Sequence, residues 1–233
     1  ILAGGLGTRL RDAVPGLPKC MAPVNHIPFL DYVIAHLQKE GIEHFILALG
    51  HMHEAIEEHV RKKYPELRIS FSVEKEPLGT GGAIRLACGK ATEKEVLVVN
   101  GDTLYAVNVS AVSSFHHQHK ALCTLALKPM EDFDRYGVVE TDKDGHIRSF
   151  LEKKPYRSGM INGGVYALTA PSFLKLPFPE KFSFEKDFLE KYVGSEKLMG
   201  IPDDAYFIDI GIPEDYQRAG TELPALFKDL LKA

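Results

Sequence analysis

Apolar residues recur along this chain with two different periods, and the periods take turns. Phe29, Val33, Ile34 and Leu37 fall at helical spacing in segment 28–41, with Pro28 near its start and Gly41 at its stop, which predicts a helix packed on a sheet. Segment 44–50, HFILALG, is a continuous apolar run closed by glycine, as a strand covered on both faces requires. Segment 53–64, HEAIEEHVRKKY, reads as helical again, and 67–74, LRISFSVE, alternates as a strand. EPLGTGGAIRLA at 76–87 opens a further helix through a glycine cluster, and EVLVVNGD at 95–102 is a buried strand that ends in Asn100-Gly101-Asp102. Alternation from the first residue to about position 100 predicts a parallel sheet covered on both sides.

The second half departs from that alternation. ALCTLALK at 121–128 reads as a strand, and 137–153 as a hairpin through Asp142-Lys143-Asp144-Gly145. INGGVYAL at 161–168 is a further strand, FSFEKDFLEKYV at 182–193 a helix, and AYFIDIG at 205–211 a strand ending at Asp209, with a terminal helix behind it. Antiparallel additions to a parallel sheet predict a mixed, mostly parallel sheet with a lobe inserted in its second half. No linker, internal repeat or low-complexity stretch interrupts the 233 residues, so one large domain, or one domain with a small lobe, is expected.

Composition narrows the partners. A net charge of −4 and a sequence pI near 6.2 leave no basic surplus to neutralise a polynucleotide, so nucleic acid is not expected. Cys20, Cys88 and Cys123 are odd in number and widely spaced, which suggests neither a disulfide framework nor a zinc site and fits a reducing cytoplasm. No apolar run approaches the ~18 residues of a membrane span, and no membrane partner is expected. The chain begins inside what should be a strand, so a few residues are expected to precede Ile1.

The candidate chemistry starts where that first strand breaks. Ile1-Leu2-Ala3 runs into Gly4-Gly5-Leu6-Gly7-Thr8, followed by Arg9, Arg11 and Lys19. Glycines let backbone N–H groups approach a ligand without Cβ atoms in the way, and phosphate suits both those N–H groups and the cations. A Walker A loop requires a lysine directly after its last glycine, yet Lys19 lies far past Gly7 and precedes Cys20; a dinucleotide fingerprint would need glycine where Leu10 stands. The spacing that does fit is G-G-x-G-T-R-L followed by P-K.

With AGGLGTRL and PK, the segments EKEPLGTGGA, NGD, FDRYG, FLEK, INGGVY and DIGIPEDY appear in the order found in the sugar-1-phosphate nucleotidyltransferases, and the chain resembles that family over nearly its whole length. The pieces are most similar to members that act with GTP on D-glycero-α-D-manno-heptose 1-phosphate. The resemblance implies a three-layer α/β/α Rossmann-like core as a single domain, 1–233, with nucleotide bound by about 1–130 and sugar phosphate by about 131–233. It implies no C-terminal β-helix domain. The implied reaction is attack of a sugar-1-phosphate oxygen on the α-phosphorus of GTP, giving a GDP-sugar for bacterial surface glycans (lipopolysaccharide, capsule or S-layer glycoprotein) and pyrophosphate. Mannose 1-phosphate, and UTP or dTTP, are the alternatives within the family; a non-catalytic nucleotide-sugar sensor is the alternative outside enzymes, against which the retained ionic residues argue.

Carried onto matching residues, the resemblance makes Arg9, Lys19, Asp102, Lys153 and Asp209 catalytic. The nucleotide falls to Leu2, Ala3, Gly4, Gly5, Gly7, Thr8, Arg9, Lys19, Glu74, Pro77, Gly79, Thr80, Asn100, Gly101 and Asp102. The sugar phosphate falls to Gly137, Glu152, Lys153, Asn162 and Gly163, with Lys154 next in line if the register shifts by one. Asp102 and Asp209 would be the ligands of Mg²⁺, a hard cation that takes one or two carboxylates and keeps several waters. Either aspartate alone would be an ordinary helix cap. Glu74 can accept both N1–H and N2–H₂ of guanine, although an exposed acid after a strand is commonplace. His51 and His53, and the group His116, His117 and His119, are not placed to converge on one metal ion. A homo-oligomer is left open.

Overall fold

The alternation of the first hundred residues is present in the computed structural model, which describes residues 1–5 and 16–228. In chain order the elements are β1 (Pro23–Val24), β2 (Ile27–Pro28), α1 (Phe29–Lys39), β3 (His44–Leu49), α2 (His53–Lys63), β4 (Arg68–Val73), α3 (Gly79–Cys88), β5 (Glu95–Val99) and β6 (Thr103–Tyr105). They continue with α4 (Val109–Gln118), β7 (Cys123–Phe133), β8 (Val139–Thr141), β9 (Ile147–Phe150), β10 (Tyr156–Thr169), α5 (Ala170–Leu174), β11 (Leu198–Pro202), β12 (Phe207–Asp209) and α6 (Pro213–Leu226). A short 3-10 turn occupies Lys19–Met21. The fold class is α/β with mixed strand pairing, as expected.

The chain divides into two units whose segments interleave: 1–77, 100–104 and 208–233 form the first, and 78–99 with 105–207 the second. In the first unit β3 and β4 pair in parallel from His44↔Arg68 to Leu49↔Val73. Leu2 lies beside them, bridged in parallel to Ala48 on one side and to Asn100 on the other. Parallel strands put their carboxyl ends at one edge, and that edge of an α/β sheet is where ligands bind. The segments that leave it are Ala3-Gly4-Gly5, Gly50, Glu74 and Gly101-Asp102, and Glu74 N–H donates to the Leu49 carbonyl at 2.9 Å.

Helix α1 buries Phe29, Leu30, Tyr32, Val33, Ile34 and Leu37, the face its spacing called for. Each such side chain contributes ~1.5–3 kcal/mol when fully buried. Asp31 sits among them at 0% exposure. A buried carboxylate needs partners, and α2 supplies them: His59 Nε2 lies 2.8 Å from Asp31 Oδ1, and Lys63 Nζ 3.3 Å from Oδ2. The two helices are thereby tied by charge as well as by packing.

In the second unit the strand order is β11-β7-β10-β5, with β10 antiparallel to both neighbours and β11 parallel to β7. The β10–β7 register shifts between Asn162 and Tyr166, so the Asn162-Gly163-Gly164 stretch bulges out of the ladder. The expected hairpin is β8–β9, whose turn is drawn tight by Asp142: its carboxylate accepts from the Asp144 and His146 N–H groups, each at 3.0 Å, and from Arg148 Nε at 2.9 Å.

The helix expected over 182–193 is instead a π-helical turn, Phe184–Leu189, followed by a 3-10 turn, Glu190–Tyr192. The wider turn brings residues four and five apart to one side, and Phe184, Phe188 and Leu189 are all buried there. Phe173 and Phe178 pack on the same cluster, with ring centroids 5.2 Å and 6.1 Å from Phe188. Aromatic packing thus overrides the α-helical period.

Substituting Asp31→Asn removes the charge but keeps the shape, and should lower stability by ~2 kcal/mol, the range for a hydrogen bond to a charged group. The check is the urea midpoint of unfolding; an unchanged midpoint would show that His59 and Lys63 contribute nothing through Asp31.

Candidate active site

The first unit brings together three charged residues that lie far apart in sequence. Asp102 follows the run of β5 after Asn100-Gly101, and Asp209 is the last residue of β12. Ile210 N–H donates to the Asp102 carbonyl at 3.1 Å, which holds the two acidic segments side by side. Lys19 enters from the helical turn after Pro18. Its ammonium hydrogen-bonds Asp102 Oδ2 and lies 3.9 Å from Asp209 Oδ1.

Two carboxylates around one ammonium leave a formal charge of about −1 in a half-buried place, where charge is costly. Burial pushes the Asp209 carboxyl above the ordinary carboxylate range, and the charge of Asp102 adds to the shift; Lys19 and the Gly211 N–H, 2.7 Å from Asp209 Oδ1, offset part of it. Both aspartates therefore have use for more positive charge than Lys19 supplies. Their donor atoms are all oxygen and an ammonium already stands between them, so the set fits a hard divalent cation such as Mg²⁺.

Gly101 is part of this arrangement for a steric reason. Its N–H donates to the Leu2 carbonyl at 2.8 Å, and a Cβ at Gly101 would lie 2.7 Å from that same oxygen. Around it, Ala3 and Gly101 are buried, Leu2, Gly4, Glu74, Asn100 and Asp102 half-buried, and Gly5 and Pro77 exposed. Gly7, Thr8 and Arg9 lie outside the described residues.

The second glycine cluster has packing duties that its sequence did not reveal. Gly81 N–H donates to the Phe182 carbonyl at 3.0 Å, and a Cβ at Gly81 would fall 2.2 Å from the Phe182 ring. The Thr80 hydroxyl donates to Glu185 Oε2 at 2.7 Å and accepts from Phe184 N–H at 2.9 Å. These glycines let α3 dock on segment 180–184. Gly79 and Thr80 themselves remain exposed, with Gly79 in the left-handed region at φ +72°.

The residues expected to meet the sugar phosphate lie in the second unit on neighbouring segments. Val138 bridges Ile161, and Leu151 N–H donates to the Val138 carbonyl at 2.7 Å, which places Gly137, Glu152 and Asn162 on adjoining stretches. Asn162 is held at both ends: its Nδ2 donates to the Tyr166 hydroxyl at 3.0 Å and its Oδ1 accepts from Gly164 N–H at 3.0 Å. Gly163 packs against the Tyr105 ring. The adjacent lysines differ: Lys154 Nζ lies 5.3 Å over the ring of Tyr156, whereas Lys153 is exposed and makes no such contact among the described residues. Gly211 was not singled out from the sequence, although a Cβ there would crowd Asp209 Oδ1 at 2.7 Å and Lys19 Nζ at 2.9 Å. Only the spatial meeting of those two side chains marks it.

Of the histidines considered above, His53, His116 and His117 are otherwise engaged, and the cysteines are buried. His53 Nδ1 pairs with Glu57 at 3.0 Å, and both ring nitrogens of His116 face threonine hydroxyls. Asp142, Asp144 and His146 gather in the β8–β9 turn, but Arg148 already occupies Asp142 and holds its carboxyl well below the usual range. All three cysteines are buried thiols; burial, aided by Asp102, pushes Cys20 up to about 12, so it is no nucleophile at neutral pH.

A family profile described as "Nucleotidyl transferase" matches residues 1–225. The chain is 50% identical over 223 residues to the D-glycero-alpha-D-manno-heptose 1-phosphate guanylyltransferase of Aneurinibacillus thermoaerophilus, covering 96% of each chain. It is 45% identical over 216 residues to the protein of the same name from Campylobacter jejuni, covering 93% of this chain and 95% of the other. Among solved structures, HddC from Yersinia pseudotuberculosis complexed with GMP-PN superposes with a TM-score of 0.85 at 37% identity, covering 95% of this chain and 97% of that one.

Gly101→Ala should cost ~1–3 kcal/mol, the usual penalty for forcing atoms into a filled space. Thermal unfolding checks it; a variant as stable as the parent would show that the Leu2 segment yields freely.

Proposed function

The chain belongs to the nucleotidyl transferase family, and from that premise we propose that it transfers GMP from GTP to D-glycero-α-D-manno-heptose 1-phosphate, releasing pyrophosphate. The observation that carries the reading is the Lys19 ammonium set between Asp102 and Asp209, a cation centre of the kind phosphoryl chemistry needs. The names of the two guanylyltransferase relatives and the GMP-PN held by HddC support the choice of base and sugar.

In this reaction an oxygen of the sugar phosphate bonds to the α-phosphorus while the bond from that phosphorus to the bridging oxygen breaks, and pyrophosphate leaves. The attacking phosphate is anionic near neutral pH, so no general base is required. Catalysis then consists of alignment and of neutralising charge at the crowded phosphorus. Lys19 is partly withdrawn from water, with its side chain 17% exposed, and its ammonium would hold an α-phosphate oxygen. Lys153 would bind the sugar phosphate, since Lys154 is committed to Tyr156. Glu74 would accept the paired donors of guanine. Mg²⁺, held by Asp102 and Asp209, would supply further positive charge to the phosphate oxygens. The product would be a sugar donor for surface glycan assembly, made in the cytoplasm where GTP is found; no helix among the described residues is long and apolar enough to cross a membrane.

A pyrophosphate-release panel tests the reading by crossing four nucleoside triphosphates with heptose, mannose, glucose and N-acetylglucosamine 1-phosphates. GTP with the heptose should give the highest kcat/KM; a markedly better rate for another pair would replace the substrate, and no release with any pair would favour a sensor.

Asp102→Asn and Asp209→Asn should each lower kcat by about 100-fold or more, and the double variant should be little worse than either, because groups acting as a unit are non-additive. Full turnover in either single variant at saturating Mg²⁺ would sink the shared centre. Lys153→Ala should raise KM for the sugar phosphate about tenfold while Lys154→Ala leaves it unchanged. The reverse result would move the phosphate contact by one residue.

A further inference from the structure

Apart from the residues assigned above, the second unit carries a cavity of about 510 Å³. Its wall is formed by the end of α4, the turn after α5 and the approach to β11, and each contributes one lysine: Lys120, Lys175 and Lys197. All three are exposed, and none of their ammonium groups makes a hydrogen bond or ion pair among the described residues. The single carboxylate of the lining, Glu95, already faces His117 Nδ1 at 3.2 Å. Three lysines whose ammonium groups have no partner among the described residues thus line one space in a chain whose net charge is −4.

The space has a fixed floor. His116 is 1% exposed, with Nδ1 2.9 Å from the Thr124 hydroxyl and Nε2 3.0 Å from that of Thr169, which itself donates to the Ala121 carbonyl at 2.9 Å. Thr169 has spent its hydrogen on Ala121, so it accepts from Nε2–H; burial lowers the pKa of the ring and favours the neutral form, whose Nδ1 then accepts from Thr124. Leu122, Leu176 and Tyr192 add an apolar and aromatic wall.

Helix-end electrostatics favour Lys120, after α4, but do not account for the other two lysines. A cation after a helix is favoured by the dipole, yet α5 has only five residues and Lys197 follows no α-helix. Lys120 stands at φ +48°, the left-handed position after α4 where glycine or asparagine is the easy choice. A lysine kept there serves its side chain rather than the backbone.

We propose that this cavity binds a small organic molecule carrying phosphate. Lysines present compact, mobile point charges, which suit phosphate groups. The volume falls within the ~300–1,000 Å³ typical of small-molecule sites, more than a bare phosphate fills, and the Tyr192 wall gives the organic body a surface. A nucleotide and a sugar phosphate share this chemistry, and they are told apart by experiment.

The test follows the ring signals of His116 and His117 in the full chain by NMR while GDP, mannose 1-phosphate, pyrophosphate or inorganic phosphate is added, with a non-hydrolysable GTP analogue saturating the active site. GDP or mannose 1-phosphate should shift both rings saturably with a midpoint below about 1 mM, and whichever does so names the source. The triple variant Lys120→Ala, Lys175→Ala, Lys197→Ala should raise that midpoint about tenfold, Lys197→Ala alone about threefold, and neither should change kcat/KM for GTP. These signals read the cavity whether or not the chain is a guanylyltransferase. No saturable shift with any probe up to about 10 mM, or equal binding by the triple variant, overturns the proposal. Equal midpoints for phosphate and the organic probes overturn the organic body.

Discussion

Two aspartates on separate segments can be held around one ammonium only if the backbone opposes their repulsion. Here the opposition is specific: Ile210 N–H grips the Asp102 carbonyl, Gly211 N–H grips the Asp209 carboxylate, and Leu2 is laced between Ala48 and Asn100. The first unit's parallel pairing serves this constraint, because it fixes where the segment carrying Asp102 leaves the sheet. Lys19 then serves the fold as the ion that joins the two acidic segments. Its charge makes the acidic pair tolerable, and in the proposed reaction a phosphate would compete with Asp102 for it.

The second unit resolves a similar tension with hydrogen bonds rather than charge. A bulge at Asn162 takes that residue out of the regular β10–β7 ladder, and its amide is then spent on Tyr166 and Gly164. The conformation of the bulge is thereby fixed by the chain's own hydrogen bonds, and in the proposed reaction little ordering would be left for the sugar phosphate to impose. Thr80 likewise has its hydroxyl engaged within the fold, by Glu185 and Phe184.

The first hundred residues were legible because period and end signals agreed; α1, β3, α2, β4 and β5 all fall where apolar spacing and glycine stops put them. Legibility faded where a long-range contact decided the outcome. The period of segment 182–193 suggested an α-helix, but a cluster of phenylalanines selected a wider turn. The glycines of α3 looked like a ligand loop, and nothing near them in sequence announced that Phe182 would lie against them. At the candidate site, ordered motifs marked Lys19, Asp102 and Asp209, whereas Gly211 and the difference between Lys153 and Lys154 depended on neighbours that only folding supplies.

The burial of the cysteines has a practical side. Cys20, Cys88 and Cys123 are 3%, 5% and 0% exposed, and burial holds the first two near 12 and about 11, with Cys123 raised as well. Thiolate is the form that reacts with maleimides, and at neutral pH these three sites offer almost none of it. The native chain is therefore a silent background for fluorescent labelling: one cysteine placed on the surface becomes a unique attachment point for a dye, and no native cysteine has to be removed first.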